Sequence, residues 1–171
     1  MADDSTKKYS QKQEQMIASV LGGKVVAASG ARPANPGDVK TEEWLAECKT
    51  HTEPGHNIFF DINVWKKISD EAMALHRKPV LIVDDGSQKE SNTWCLCRAI
   101  NINQSNMLNL DFPNAIRKNI SGKHDKLLKT LNDATKRYIG EFYIGGAYTA
   151  IWGDEEVIIV PLTLFKEVLD K

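Results

Sequence analysis

Hydrophobic residues along this chain follow two spacings, one typical of helices and one typical of strands. Helical spacing is clear in one segment, where Trp65, Ile68, Ala72 and Leu75 recur every three or four residues. Strands are indicated by short runs of β-branched and aromatic residues that end at turn-forming residues. The pattern predicts helices over 10–21, 64–77, 123–136 and 161–169, and strands over 24–28, 38–40, 44–50, 57–61, 79–83, 93–99, 138–144, 147–152 and 157–160.

The segment 79–83 is the most informative of these elements about the fold class. Its sequence, Pro-Val-Leu-Ile-Val, is typical of a central strand that is buried on both faces. A hairpin over 38–50 and a helix precede it, and more strands and helices follow. This order predicts an α/β fold with a mixed central sheet flanked by helices and with additional strands and a helix towards the C-terminus. Residues 101–122 have little periodicity, and we assign no element there.

The length and composition indicate one globular domain. The 171 residues suit a single domain over 10–171, with a core over about 10–99, an extension over about 100–171 and a flexible tail over 1–9. No apolar run reaches the roughly 18 residues of a membrane span. The polar N-terminus lacks the apolar core of a signal peptide, so we expect a cytoplasmic location, which would be the host cytoplasm for a viral chain.

Cysteine and charge content narrow the chemistry further. Three cysteines in a chain without an export signal argue against a disulfide framework, and Cys95 and Cys97 are expected to be small buried thiols. The net charge of −1 weakens the case for a nucleic-acid partner, because Lys and Arg make the phosphate contacts. Local distribution matters more than the sum, and pairs such as Lys66-Lys67 and Lys136-Arg137 form basic clusters.

Candidate chemistry lies on the predicted hairpin, where Asp38 is followed nine residues later by Glu47-Cys48-Lys49. Side chains alternate along a strand, so Glu47 and Lys49 share a face, and Asp38 on the partner strand can lie beside Glu47. Two adjacent carboxylates repel each other unless a cation lies between them, and hard oxygen ligands suit Mg²⁺. The backbone carbonyl of Cys48 is a candidate further ligand. The Lys49 ammonium would then orient the attacking water or stabilise charge on a phosphate during phosphodiester hydrolysis.

The bare spacing is a weak pattern, and it also fits a surface hairpin with a cross-strand salt bridge. Its context favours the catalytic interpretation. A helix and strand precede the hairpin, another helix and a buried strand follow it, and Glu47 lies between Ala46 and Cys48 on a largely apolar strand.

In order along the chain, these segments resemble the archaeal-type Holliday junction resolvases of the PD-(D/E)XK nuclease superfamily, which also occur in some phages. The resemblance spans about 11–83. It depends on Glu14, Ser29-Gly30, Gly37-Asp38-Val39, Glu47-Cys48-Lys49, Phe60-x-Ile62, Trp65, Glu71-Ala72 and Pro79-Val-Leu-Ile-Val83.

The resemblance implies a role for each matching residue. Asp38 and Glu47 would be metal ligands, Lys49 the catalytic lysine, and Glu14 an upstream acid that helps to hold the metal or its waters. Ser29 would lie near the scissile phosphate. Glu14 also fits an ordinary solvated helix glutamate, and Ser29 a turn-forming serine. The family's strand-end arginine is missing, since the sequence there is Ala27-Ala28, and Arg32 is the nearby substitute.

Three functions are therefore open. The first is a homodimeric endonuclease that uses Mg²⁺, or Mn²⁺ in its place, to make paired nicks in four-way DNA junctions. The second is another DNA endonuclease, either restriction-like or specific for flaps and other branched DNA. The third is a non-catalytic DNA-binding or protein-binding module of the same fold, against which the intact set of Asp38, Glu47 and Lys49 argues.

Residues outside this set have structural interpretations. His51 and His56 are expected in an exposed polar loop, and His76 and His124 on the surface of helices. Gly145-Gly146 is expected to form a turn between strands, because no Lys-Ser/Thr follows it as in a phosphate-binding loop. Four tryptophans are expected in the core: Trp44, Trp65, Trp94 and Trp152.

Overall fold

The computed structural model describes residues 4–27, 35–112, 119–138 and 143–169. Four helices lie in this part of the chain: α1 (Asp4–Leu21), α2 (Ile62–Ala74), α3 (His124–Lys136) and α4 (Leu162–Leu169). Its strands are β1 (Lys24–Val25), β2 (Val39–Lys40), β3 (Trp44–Lys49), β4 (Ile58–Asp61), β5 (Lys78–Asp84), β6 (Thr93–Arg98), β7 (Met107–Asp111), β8 (Asn119–Gly122), β9 (Gly145–Trp152) and β10 (Glu155–Pro161).

An eight-stranded mixed sheet forms the centre of the molecule, with the strand order β1-β2-β3-β5-β6-β10-β9-β7. The pairs β3–β5 and β7–β9 are parallel, and the other neighbours are antiparallel. Strands β4 and β8 pair separately as a two-stranded antiparallel sheet. The predicted α/β class with a mixed central sheet flanked by helices is confirmed.

Hydrophobic clusters cover both faces of the central sheet. Side chains alternate along β5, so that Val80 and Ile82 belong to one cluster while Leu81 and Val83 belong to the other. Helices α1 and α4 pack on the first cluster, and α2 and α3 on the second. The interpretation of 79–83 as a strand buried on both faces is confirmed. All four tryptophans are buried, as predicted.

The N-terminal tail predicted over 1–9 is wrong for residues 4–9. Helix α1 begins at Asp4 and not at Ser10. Its first turns carry Lys7 and Lys8 towards solvent. Polar residues with good helix propensity form exposed helical turns as readily as tails, and Asp4 suits the positive end of the helix dipole. The polarity of this segment therefore does not distinguish an exposed helical turn from a flexible tail.

Other differences lie in the C-terminal half. Residues 101–122, left unassigned from the sequence, contain β7 and β8. Of the strand predicted over 138–144, residues 139–142 lie outside the described residues, and residues 138, 143 and 144 are not in a strand. Gly145 and Gly146 lie inside β9 and do not form a turn. A Cβ on Gly146 would lie 3.1 Å from Leu131 Cδ2, so the missing side chain lets α3 pack closely on β9.

His124 is buried, which contradicts its predicted place on the surface. The Trp94 indole donates a hydrogen bond to His124 Nδ1 at 3.0 Å, so the pair satisfies two buried polar atoms. This places the start of α3 against the central sheet. In the described part of the chain, no helix combines the length and apolar character that a membrane crossing requires.

Candidate active site

The hairpin formed by β2 and β3 places Asp38 beside Glu47. Val39 pairs with Ala46 in the antiparallel register, and the Asp38 amide donates to the Ala46 carbonyl at 2.8 Å. The paired register ends there, and this hydrogen bond keeps Asp38 next to the part of β3 that carries Glu47. Gly37 precedes Asp38 with a φ of 72°, and a Cβ there would lie 2.7 Å from Leu45 Cδ1. Glycine is therefore required where the chain enters β2.

A backbone hydrogen bond fixes the Asp38 carboxylate. Asp38 Oδ2 accepts from the Cys48 amide at 2.8 Å, which holds this side chain across the hairpin. The same contact places the Cys48 backbone, whose carbonyl is a candidate metal ligand, directly beside the carboxylate. The Cys48 thiol is buried, and burial followed by the charges of Asp38, Glu14 and Glu47 raises its pKa well above the ordinary value. This thiol therefore stays protonated and is no nucleophile.

Two ammonium groups flank the Glu47 carboxylate. Lys49 Nζ lies 2.6 Å from Glu47 Oε1, and Lys67 Nζ of α2 lies 3.9 Å from Glu47 Oε2. Lys67 also lies 3.4 Å from Glu71 Oε1. The Glu47 side chain is only 9% exposed, whereas both lysines are about half exposed. A nearly buried carboxylate thus meets solvent at a surface lined by positive charge.

The electrostatics of this site keep Lys49 positively charged. Partial burial alone would lower the pKa of its ammonium, but the hydrogen bond from Lys49 to Glu47 and the charges of Glu47 and Asp38 outweigh burial. The pKa of Lys49 therefore lies above its ordinary value. At neutral pH this side chain donates hydrogen bonds and stabilises negative charge, and it cannot act as a general base.

Glu14 on α1 joins the same electrostatic cluster. Burial, followed by the charges of Asp38 and Glu47, raises the pKa of its carboxyl to about 7, against the lowering effect of Lys49. Glu14 therefore lies close to both hairpin carboxylates, although it is 24 residues before Asp38 in the chain. It also lines an open cleft of about 570 Å³ between α1 and residues 25–27.

The donor set suits a hard divalent cation. The charges of Asp38 and Glu47 raise the pKa of the nearby Glu14 carboxyl, and a bound cation would relieve this repulsion. Among the described residues, however, no group of three His, Cys, Asp or Glu side chains is already arranged to hold a metal ion. The Lys49 ammonium contacts Glu47 instead, so metal binding would require Lys49 to exchange this partner for another.

Residues that the sequence did not single out connect α1 to the ends of β3 and β5. The buried amide of Gln13 donates to the Lys49 carbonyl at 2.9 Å and to Asp84 Oδ2 at 3.4 Å. Thr50 Oγ1 donates to Asp84 Oδ1 at 2.7 Å. Burial raises the pKa of the Asp84 carboxyl despite these hydrogen bonds and one from the Gly86 amide. This network holds Glu14, the neighbour of Gln13, close to the hairpin.

The remaining candidates lie in loops. Ser29 and Arg32 lie outside the described residues. His51 and His56 are exposed, as predicted, and their rings stack with centroids 4.0 Å apart. Their loop is fixed to the turn after β5, where the His56 amide donates to the Asp85 carbonyl at 3.0 Å.

The chain matches no family model, and it has no significant match among curated proteins or among solved structures. The function is therefore inferred from the geometry of the site.

A stability measurement tests the environment of Glu14. Its pKa in the fold is raised from 4.5 to about 7, so the folded state favours the protonated carboxyl. The stability that this protonation contributes is present below pH 4.5 and is lost as the pH rises towards 7. In buffer with EDTA, Glu14→Gln should therefore raise the melting temperature relative to wild type at pH 8 but not at pH 4.5. A melting-temperature difference that does not change with pH would contradict this environment.

Proposed function

We propose that this protein is a metal-dependent endonuclease of the PD-(D/E)XK type that resolves four-way DNA junctions as a homodimer. One observation carries the proposal. The Asp38 carboxylate accepts from the Cys48 amide of the strand that carries Glu47, and Lys49 Nζ on that strand lies 2.6 Å from Glu47 Oε1. A cross-strand salt bridge on an exposed hairpin would not explain a Glu47 side chain that is 9% exposed and shared by two lysines.

Each residue has a distinct part in hydrolysis of a phosphodiester bond, in which water adds to phosphorus and the bond to the leaving oxygen breaks. Asp38 and Glu47, with the Cys48 carbonyl and with Glu14 as a further acid, would hold Mg²⁺ or Mn²⁺. The bound ion would polarise the phosphate and lower the pKa of a coordinated water. Lys49 stays cationic and stabilises the negative charge that develops on the phosphate oxygens. The Cys48 amide holds Asp38 in position.

Charge near the site supports a nucleic-acid substrate in spite of the overall net charge of −1. Lys49 and Lys67 are each about half exposed beside Glu47, and Lys66 is exposed on the same helix as Lys67. Such groups bind phosphates, and the affinity of this binding falls as the salt concentration rises. A two-fold dimer would bring two such surfaces and two active sites to one junction, as paired nicking requires.

The deciding experiment compares a labelled synthetic four-way junction with a linear duplex of the same sequence, each with Mg²⁺ and with EDTA. We expect paired, symmetric nicks in the junction, little cutting of the duplex, and no cutting in EDTA. Cutting of both DNAs would support nuclease activity but refute specificity for the junction. Cutting in EDTA would refute metal dependence, and binding without cutting under every condition would favour the non-catalytic module.

A further inference from the structure

A small cleft opens next to Lys49, at the C-terminal end of β3. It has a volume of about 250 Å³ and lies where β3 and β5 end, beside β4 and the start of α2. Its lining combines apolar and polar side chains: Lys49, Thr50, His51, Phe59, Asp61, Val64, Leu81, Val83 and Asp84. Lys49 thus belongs both to the proposed catalytic site and to the wall of this cleft.

Phe59 is the unusual member of this lining. It is 43% exposed in the middle of β4, whereas Ile58 and Phe60 on either side are completely buried. Its cross-strand partner is Ser121, so no large side chain opposite covers the ring. The core does not require an aromatic residue at this position. A large ring next to a functional lysine is well placed to bind a ligand instead.

The cleft has the chemistry of a site for one planar heterocycle. Leu81, Val83 and Val64 line it with apolar side chains, and Asp61 adds a carboxylate that caps α2 through Oδ1, whereas both oxygens of the buried Asp84 already accept hydrogen bonds. At about 250 Å³ it is smaller than the roughly 300–1,000 Å³ of pockets for drug-sized ligands. One ring system fits this size, with a flat face against Phe59 and a polar edge towards the Asp61 carboxylate. A nucleobase has both features, and its exocyclic amine is a donor for a carboxylate oxygen.

We propose that this cleft binds a single unstacked nucleobase next to the scissile phosphate, with Phe59 as the stacking surface. The inference depends on the proposed nuclease function and deepens it, because Lys49 would contact the phosphate of the same nucleotide or of its neighbour. A base inside a continuous duplex is stacked on both faces and cannot enter. At a branch point, unstacking costs less, so the cleft would favour branched over linear DNA.

A double-mutant cycle between protein and DNA tests this site. Junctions carrying one abasic nucleotide are prepared, with the abasic position moved through the nucleotides on either side of the mapped cut. Wild type should lose about tenfold in kcat/KM at one of these positions, and Phe59→Ala should lose about tenfold on intact DNA. On the abasic junction that affects wild type, Phe59→Ala should cause no further loss. Independent losses that multiply would refute contact between Phe59 and that base.

Further variants separate stacking from general apolar contact and from folding defects. Phe59→Trp should restore activity on intact DNA, whereas Phe59→Leu should resemble Phe59→Ala. Met73→Ala removes an apolar side chain that is 62% exposed on α2 and outside the cleft, and it should leave cleavage unchanged. Full activity of Phe59→Leu would overturn the stacking role. A change in the oligomeric state of Phe59→Ala, measured by light scattering, would overturn the base site and assign the cleft to a subunit contact.

Failure of this inference is distinguishable from failure of the proposed function. If wild type cuts junctions but no abasic position and no Phe59 variant changes the rate, the nuclease stands and the base site is refuted. If wild type cuts no DNA with Mg²⁺ or Mn²⁺, both proposals fall.

Discussion

Under the proposed function, replacing Glu47 with Gln should reduce junction cleavage about 10³-fold or more, because the metal that Glu47 would hold supplies several kcal/mol of transition-state stabilisation. The amide keeps the size of the side chain but loses the charge that would hold the cation. Lys49 and Lys67 remain, so the affinity for junction DNA should be retained or slightly increased. Single-turnover cleavage in Mg²⁺ and equilibrium binding in EDTA measure the two quantities separately.

The hairpin offers a matched control for this substitution. Glu43 is an exposed carboxylate on the turn between β2 and β3, and it forms a salt bridge with Lys78 at 2.7 Å. Glu43→Gln removes the same charge from the same hairpin, so its cleavage rate should stay within about twofold of wild type, since an exposed ion pair contributes little. Cleavage by Glu47→Gln at a rate near that of the control would refute the assigned site. A melting temperature near that of wild type would exclude unfolding as the cause of lost activity.

Local patterns were enough to predict the hairpin and the proximity of its charged side chains. The alternation along β3 and the short turn fix which side chains share a face, so Glu47, Lys49 and Asp38 come together without information from distant parts of the chain. The buried β5 was predicted for a similar reason, since a continuous apolar run has few other environments open to it. Both elements depend on neighbours in sequence.

Contacts between distant segments could not be predicted in this way. Gln13 and Asp84 are 71 residues apart and meet because α1 crosses the ends of β3 and β5. Lys67 approaches Glu47 through the packing of α2 on β3, and nothing in the helix itself distinguishes it from Lys66. A polar residue on a predicted helix can face solvent or a functional site, and only tertiary packing decides which.

His124 was predicted to lie on the surface, and this prediction is wrong. A histidine at the start of a basic helix has the sequence context of a surface residue, yet it is buried and accepts a hydrogen bond from Trp94. The sequence signal lay in the other partner, because the N–H of a buried indole usually donates to an acceptor. A search for an acceptor for the N–H of Trp94, an expected core residue, would have included His124 among the candidates.

Replacing Lys49 with Met should lower the rate constant for cleavage about 10²–10³-fold, the cost of removing one charge-stabilising donor from a transition state. Methionine keeps much of the length and apolar stem of lysine, so packing against the cleft is largely preserved. The loss should appear in kcat, with a smaller effect on KM, because the charge on the phosphate grows towards the transition state. Lys49→Arg keeps the charge but changes its geometry, and it should recover only part of the rate.

Lys40→Met is the matched control, since Lys40 is an exposed lysine on β2 of the same hairpin. A lysine that only attracts DNA contributes to binding, and its loss weakens affinity and reduces the salt dependence by about one released counterion. Lys40→Met should therefore change KM alone, if it has any effect. If Lys49→Met produced the same pattern, a raised KM with an unchanged kcat, Lys49 would be a DNA-binding residue and not a catalytic one. Because the pKa of the Lys49 ammonium lies above its ordinary value of 10.5, the rate loss should persist at every pH below that value, and a loss that disappears there would contradict a charged Lys49.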